Sequence, residues 1–166
     1  MDIVSHGLWG SLTFGRKNKK SFWLSFLFGV APDLFSFGIF FISTFLGLTE
    51  RPDWTRAEPP SLSTIPAYVG YFYNFTHSLI IATSVFLIIW LIYRKPFLEM
   101  LAWPLHILFD IPTHSYQFFP TPFLWPLSNF KFNGHSWADP IIFFPNLAVL
   151  IILYAVFLIR KKRANH

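Results

Sequence analysis

The chain has 166 residues, of which 54% are hydrophobic and 21% aromatic, while only 13% are charged. That is too little polar side chain to cover a water-soluble core, which excludes a soluble globular domain and leaves a single membrane-embedded domain over residues 1–166. The net charge of +5 sits in short basic blocks between apolar runs, with no pattern suited to nucleic acid, and the absence of cysteine excludes disulfides and thiolate metal sites; any metal falls to His and carboxylates, which suit Zn, Mn or Fe.

About five apolar segments follow one another, predicting an all-α polytopic transmembrane bundle. The first, about residues 2–15, contains His6 and is short for a span. The basic residues Arg16, Lys17, Lys19 and Lys20 follow it rather than precede it, so it is not read as a signal peptide and is expected to be retained. The second runs from Phe22 to about Leu48 and is interrupted by Pro32-Asp33. Proline predicts a bend there, and a bend beside a carboxylate suits a site inside a bundle. The alternative is that Asp33 N-caps the second half of a broken helix; a ligand is preferred, because a capping Asp is still a buried charge needing a partner. A polar loop, TERPDWTRAEPPSLST, comes next.

The third segment, about 68–93, carries Thr76-His77-Ser78, whose hydroxyls are placed to orient the imidazole or to bond backbone carbonyls. The fourth, about 97–113, carries LHILFDIPTH at 105–114. A long aromatic loop, about 114–138, leads to the fifth at 140–159. A spanning helix needs roughly 20 residues, so the first and fourth segments are expected to be tilted or partial. Ten of the 13 Lys and Arg lie in three clusters, Arg16–Lys20, Arg94-Lys95 and Arg160–Arg163. With five spans all three fall on one side, which the positive-inside rule makes cytoplasmic, with the N-terminus outside and the C-terminus inside. At about 1.5 Å per residue, His6, Asp33, His106 and Asp110 then lie about 15–21 Å from the cytoplasmic edge and His77 about 25 Å.

His106 and Asp110 stand four apart, on one face of a helix, so an imidazole nitrogen and a carboxylate oxygen can reach one ion or the Asp can bridge two. The bland alternative is a hydrogen-bonded pair that locks the bundle. His77 has the similar alternative of a bond across helices, and His6 that of an interfacial residue. His114 follows the disruption at Pro112 and can turn to the same centre or to the outer water. Asp139 before Pro140 fits a helix cap, and Glu99 with Lys95 an exposed i,i−4 pair. His135 is an outer-loop residue with no stated task, and His166 ends a basic tail. The loop aromatics, Trp125 and Trp137 among them, form an interfacial belt or roof the site, with Lys131 available for an anionic head group. The candidate ligands are therefore His6, Asp33, His77, His106, Asp110 and His114, more than one four-coordinate zinc needs but suited to two ions sharing Asp110.

An early His followed by Gly, a Pro-Asp in the second span, a Thr-His-Ser, and a Leu-His-x-x-x-Asp followed by Thr appear here as SHGLWG, GVAPDLF, FTHSL and LHILFDIPT, with LWPLS at 124–128. Over about residues 1–130 the chain thereby resembles the bacterial and archaeal membrane-bound metal-dependent hydrolases, including the LexA-regulated inner-membrane type. It departs from them at Phe35, where members often have a second Asp, and at Phe72-Tyr73-Asn74, where many have His-Arg-Gly. The ligand layout is also similar to that of the zinc phospholipases C, which use a His-x-x-x-Asp with a further His downstream. The resemblance implies a multi-pass inner-membrane enzyme that uses one or two divalent ions, zinc for preference, to hydrolyse an ester or phosphoester of a lipid-like substrate. In that expectation Asp33 or His114 is the catalytic proton acceptor. A divalent-metal transporter and a catalytically silent, metal-stapled membrane protein are the alternatives.

Overall fold

A computed structural model describes residues 1–50 and 65–164. Most of the polar loop, with Arg51, Asp53, Arg56 and Glu58, lies outside the described residues, as does His166. The chain is all-helical: α1 (Ile3–Phe14), α2 (Lys19–Phe45), α3 (Ala67–Thr76), α4 (Leu79–Tyr93), a 3-10 turn (Leu98–Leu101), α5 (Ala102–Thr113) and α6 (Pro140–Ala164). No strand occurs among the described residues; Ser115 and Phe118 form an isolated bridge.

Two helices, Lys19–Phe45 and Pro140–Arg163, are long and apolar enough to cross a membrane, consistent with a membrane protein. The helices α3 and α4 pass the same test only as a pair, bent by 55° at their junction. At 12 residues each, α1 and α5 extend about 18 Å, short of a hydrocarbon layer about 30 Å thick. The structure thus provides two spans, or three with the bent pair, rather than five.

The longest buried helix is organised by small residues. In α2 the buried stripe runs Ser21, Ser25, Gly29, Asp33, Ser36 and on to Phe37 and Phe40, mostly four residues apart. In lipid, helices associate by close packing rather than by a hydrophobic driving force, which small residues permit. A Cβ on Gly29 would lie 2.6 Å from the His6 carbonyl oxygen and 3.0 Å from Gly7 Cα, and one on Gly10 would lie 2.7 Å from the Ser25 carbonyl oxygen. This seam holds α1 directly against α2 and sets His6 beside Gly29, one turn before Asp33.

Pro32 does not end α2, which continues from Lys19 to Phe45 with Pro32 inside it. The expected interruption is absent, and Asp33 is a mid-helix residue rather than the cap of a second half-helix. Ahead of α2, the Asn18 side chain accepts from Ser21 N–H at 2.9 Å and starts the helix. Asp139 does cap α6, accepting from Ile141 N–H at 3.0 Å. The exposed Glu99–Lys95 pair is not observed: the Glu99 carboxylate is buried and accepts from the Ser21 hydroxyl at 2.6 Å. An i,i−4 pair needs a continuous helix, whereas residues 95–101 form a turn and a 3-10 segment.

The last helix, α6, is tied to α1 by polar bonds. Trp9 Nε1 donates to Asn146 Oδ1 and Asn146 Nδ2 to Ser5 Oγ, each at 2.9 Å, and Tyr154 OH donates to the Leu8 carbonyl at 2.9 Å. An aromatic core of Phe37, Phe40, Ile65, Val69 and Tyr73, with Phe118 and Phe119 against it, packs α2, α3 and the loop after α5 together. Replacing Gly29 by Val is expected to lower stability by about 1–3 kcal/mol through overpacking against α1. Gly38→Ala, where nothing lies within 4 Å of an added Cβ, is expected to be neutral or to gain up to about 1 kcal/mol. Thermal unfolding in detergent, followed by circular dichroism, reads both; the reverse order would remove the glycine seam as a determinant of the bundle.

Candidate metal centre

Three separate parts of the chain deliver four buried ligand atoms to one point. Asp33 comes from the small-residue stripe of α2. His77 sits at the break between α3 and α4, where it caps α3. His106 and Asp110 come from adjacent turns of α5. Together these four buried residues form a group whose ligand atoms all lie within 4.8 Å of one another, and it can hold a metal ion.

The mutual distances test that fit. Four tetrahedral donors at about 2.0–2.1 Å from a zinc-sized ion stand about 3.3 Å from one another. Here His77 Nε2 is 3.1 Å from His106 Nε2 and 3.3 Å from Asp33 Oδ1. Asp110 Oδ2 is 3.0 Å from His106 Nε2 and 3.5 Å from His77 Nε2, and His106 Nε2 is 3.8 Å from Asp33 Oδ1. These are the edges of one coordination polyhedron.

The other ring nitrogens are already engaged. His106 Nδ1 donates to the Gly29 carbonyl at 2.7 Å, since a carbonyl only accepts. His77 Nδ1 is 2.9 Å from Thr76 Oγ1, which gives its own proton to the Phe72 carbonyl at 2.9 Å and so accepts from the ring. In its neutral form each of these imidazoles directs an Nε2 lone pair at the centre, the arrangement by which outer partners fix the tautomer of a metal-binding histidine. Lone pairs facing one another at 3.1 Å repel unless a cation lies between them. Asp110 Oδ2, fully buried, lacks any hydrogen-bond partner, which a cation would remedy.

Asp110 divides the remaining candidates to its other oxygen. Oδ1 is 2.9 Å from His6 Nε2 and 3.4 Å from His114 Nε2, and it accepts from the Met1 ammonium. The same ammonium is 3.1 Å from Thr113 Oγ1 and 3.3 Å from His114 Nε2. His114 follows α5 in extended conformation and gives Nδ1–H to the Phe119 carbonyl at 3.0 Å, leaving Nε2 free to face Asp110. His6 stacks on His106 with ring centroids 3.6 Å apart. All six residues singled out in the sequence thus meet around one carboxylate, four in the compact group and His6 and His114 beside it.

The site also uses groups that the sequence reading did not single out. Tyr73 stacks on His77 at 3.8 Å and places its hydroxyl 3.2 Å from His114 Nδ1; its position four residues before His77 put it on the same helix face. The Gly29 carbonyl and the Met1 ammonium are backbone groups and carry no residue-type signal. Ser78 bonds the Trp125 carbonyl and caps α4 through Ile81 N–H at 3.2 Å, so of the two hydroxyls flanking His77 only Thr76 holds its ring.

The loop after α5 lies against the end of that helix: Gly134, His135 and Trp137 donate backbone N–H bonds to the His114, Pro112 and Thr113 carbonyls at 2.8–3.0 Å. The His135 side chain is exposed and away from the centre. A cavity of about 340 Å³ opens beside it, lined by Ile3, Val4, Phe37, Phe41, Phe118 and Trp137, with Asp33 and His114 also in its wall.

No protein-family model, curated protein or solved structure matches the chain.

Thr76→Val removes the acceptor for His77 Nδ1–H while keeping side-chain shape, and is expected to weaken metal binding by about 10–100-fold. Ser78→Ala is expected to cost about 1 kcal/mol of stability as a lost cap and to leave metal affinity unchanged. Competition with a chromophoric chelator, beside a thermal melt, separates the two.

Proposed function

We propose that this chain is an integral membrane metal-dependent hydrolase, with zinc as its expected ion, that cleaves an ester or phosphoester of a lipid-like substrate. The observation that supports it best is the pairing of a buried His/Asp ligand group with an apolar cavity whose wall includes Asp33 and His114. Asp33, His77, His106 and Asp110 would hold the ion, and a second ion on His6, His114 and Asp110 Oδ1 would have to displace the Met1 ammonium that contacts Asp110 Oδ1 and His114 Nε2. A divalent ion in such a site supplies Lewis acidity and brings the pKa of a bound water toward neutrality.

The chain's own groups then have separable tasks. Asp110 orders both sets of imidazoles, and Gly29 and Thr76 keep two of them in the lone-pair tautomer. A proton acceptor must lie within hydrogen-bond reach of the attacking water. Asp33 and His114 are the members of the donor set that also line the cavity, which suits either to that role. Phe37, Phe41, Phe118 and Trp137 give an acyl chain an apolar wall and keep bulk water from the centre.

The proposal includes a multi-pass arrangement of the five apolar segments in the inner membrane, in which α1 and α5 would enter the bilayer without crossing it, with the N-terminus on the outer side and the C-terminus cytoplasmic. It draws support from the basic segments. Arg16–Lys19 and Arg160-Lys161 share a cavity, and the Ser21–Glu99 bond draws the Arg94-Lys95 turn toward the same end of the bundle. One-sided basic clusters are what cytoplasmic loops carry. The likeness to the membrane-bound metal-dependent hydrolases points the same way.

A second reading has one observation in its favour: four protein ligands form a closed set, as in structural zinc sites, whereas catalytic sites keep a position open. Metal analysis of purified protein, followed by turnover on a panel of phospholipid esters, decides between the two. The hydrolase reading expects tightly held metal with turnover, and Asp110→Asn losing both while still inserting in the membrane. Stoichiometric metal without turnover on any lipid ester would leave the staple; metal retained by Asp110→Asn would overturn the ligand assignment.

A further inference from the structure

At the opposite end of the bundle from the metal centre, the α1–α2 turn and the last turns of α6 enclose a second and larger cavity, of about 820 Å³. Its rim carries Arg16, Lys17, Lys19, Arg160 and Lys161, and its walls carry Phe22, Tyr154, Phe157 and Leu158. No carboxylate lines it. Among the described residues none of these five cations takes part in an ion pair. Glu99, whose charge is felt by Lys17, directs its carboxylate to the Ser21 hydroxyl instead.

The cavity is built rather than incidental. Tyr154 anchors α6 through its bond to the Leu8 carbonyl, and its ring meets Phe22 edge-on at 6.5 Å and Phe157 at 6.5 Å. Arg16 gives Nε–H to the Leu12 carbonyl, which fixes its stem and leaves the terminal amino groups of the guanidinium beyond that bond. The N-terminal turn of α2 brings the positive end of a long helix dipole to the same rim, and the C-terminal turns of α1 and α6 bring negative ends there. Five exposed cations gathered on one rim, with Glu99 near Lys17 as the opposing charge, repel one another, and an anion among them relieves that repulsion.

A free inorganic anion would use the rim and leave the aromatic wall idle. A ligand with a phosphate head and an acyl tail uses both, and basic pockets between membrane helices at the basic face are suited to such head groups. We propose that this cavity binds one anionic phospholipid, its phosphate among Arg16, Lys19 and Arg160 and its tail along Phe157 and Leu158 of α6. The site is separate from the metal centre and does not depend on the hydrolase reading.

Native mass spectrometry of the full chain in detergent, titrated with phosphatidylglycerol, phosphatidylcholine or inorganic phosphate, tests the proposal. Phosphatidylglycerol is expected to be retained in preference to phosphatidylcholine, and an excess of inorganic phosphate is expected not to displace it. The triple variant R16Q/K19Q/R160Q should bind it about 100-fold more weakly. The control K20Q/K162Q/R163Q removes the same charge from outside the cavity and should change binding by less than about threefold. Bound metal should be unchanged in both, which also reports that both fold. Equal loss in the two triples would reduce the effect to diffuse surface charge and overturn the site. So would indifference to the lipid head group, and displacement by phosphate would make it a site for a soluble anion instead.

Discussion

Two carboxylates buried among imidazoles are the constraint from which the rest of this structure follows. On insertion scales an Asp at the centre of a membrane helix costs about 2.5–3.5 kcal/mol, and here Asp33 and Asp110 lie within a few ångströms of each other. Imidazoles offset that cost only by donating a proton or by accepting a cation alongside the carboxylates. The proton of His106 is committed to the Gly29 carbonyl and that of His77 to Thr76. The Met1 ammonium meets Asp110 on its Oδ1 side; on the other side, with the imidazoles neutral, carboxylate oxygens and lone pairs converge, a donor set that can hold a dication.

The helices are arranged to make that convergence possible. Donors from α1, α2, the α3–α4 junction and α5 reach one point because α1 lies within backbone contact of α2. Gly29 and Gly10 allow the approach, and Gly29 then lends its carbonyl to His106. The same residue thus sets both the packing distance and the tautomer of a ligand. The bend after Thr76 serves a comparable end: a straight helix through 67–93 would carry His77 on a continuous face, whereas the break lets it cap α3 and point inward. Short helices suit this interior. Neither α1 nor α5 has the length to cross a bilayer, and both end at the level of the centre, where Met1 and His114 complete the Asp110 Oδ1 side.

Much of the site was legible because polar residues are conspicuous in an apolar chain. His6, Asp33, His77, His106, Asp110 and His114 stand out against Phe, Leu and Ile, and the i,i+4 spacing of His106 and Asp110 fixes their common face. The role of Thr76 followed from adjacency. Other features depended on information that residue types do not carry. Pro32 looked like a break, yet α2 runs through it, because packing against α1 and α3 holds the helix on both sides of the missing N–H. The division of spans was only partly legible for a related reason: the first and fourth segments are short, as their length suggested, but the bend inside the third was not foreseen. Apolar runs of similar composition become a crossing helix, a bent pair or a partial helix according to where turns and neighbours stop them. Glu99 was assigned to Lys95 on the assumption of a helix that begins only at Ala102. The small residues Ser21, Ser25 and Gly29 did announce the buried stripe of α2, with Asp33 as its next member, but that signal lies in packing rather than in chemistry.

The geometry also bears on how a closed ligand set can serve a reaction. The side chains of His77, His106 and Asp110 are fully enclosed, whereas that of Asp33 is 8% exposed. Asp33 is moreover the only one of the four that lines the cavity beside the centre. In the hydrolase proposal, a molecule in that cavity would meet this carboxylate, with His114 on the same wall. Three ligands are thus locked by rings, carbonyls and hydroxyls, and the fourth faces the cavity. On the hydrolase proposal, the protein oxygen that would give way to water or substrate is the one on the cavity wall, which makes Asp33 rather than Asp110 the ligand whose exchange that proposal needs.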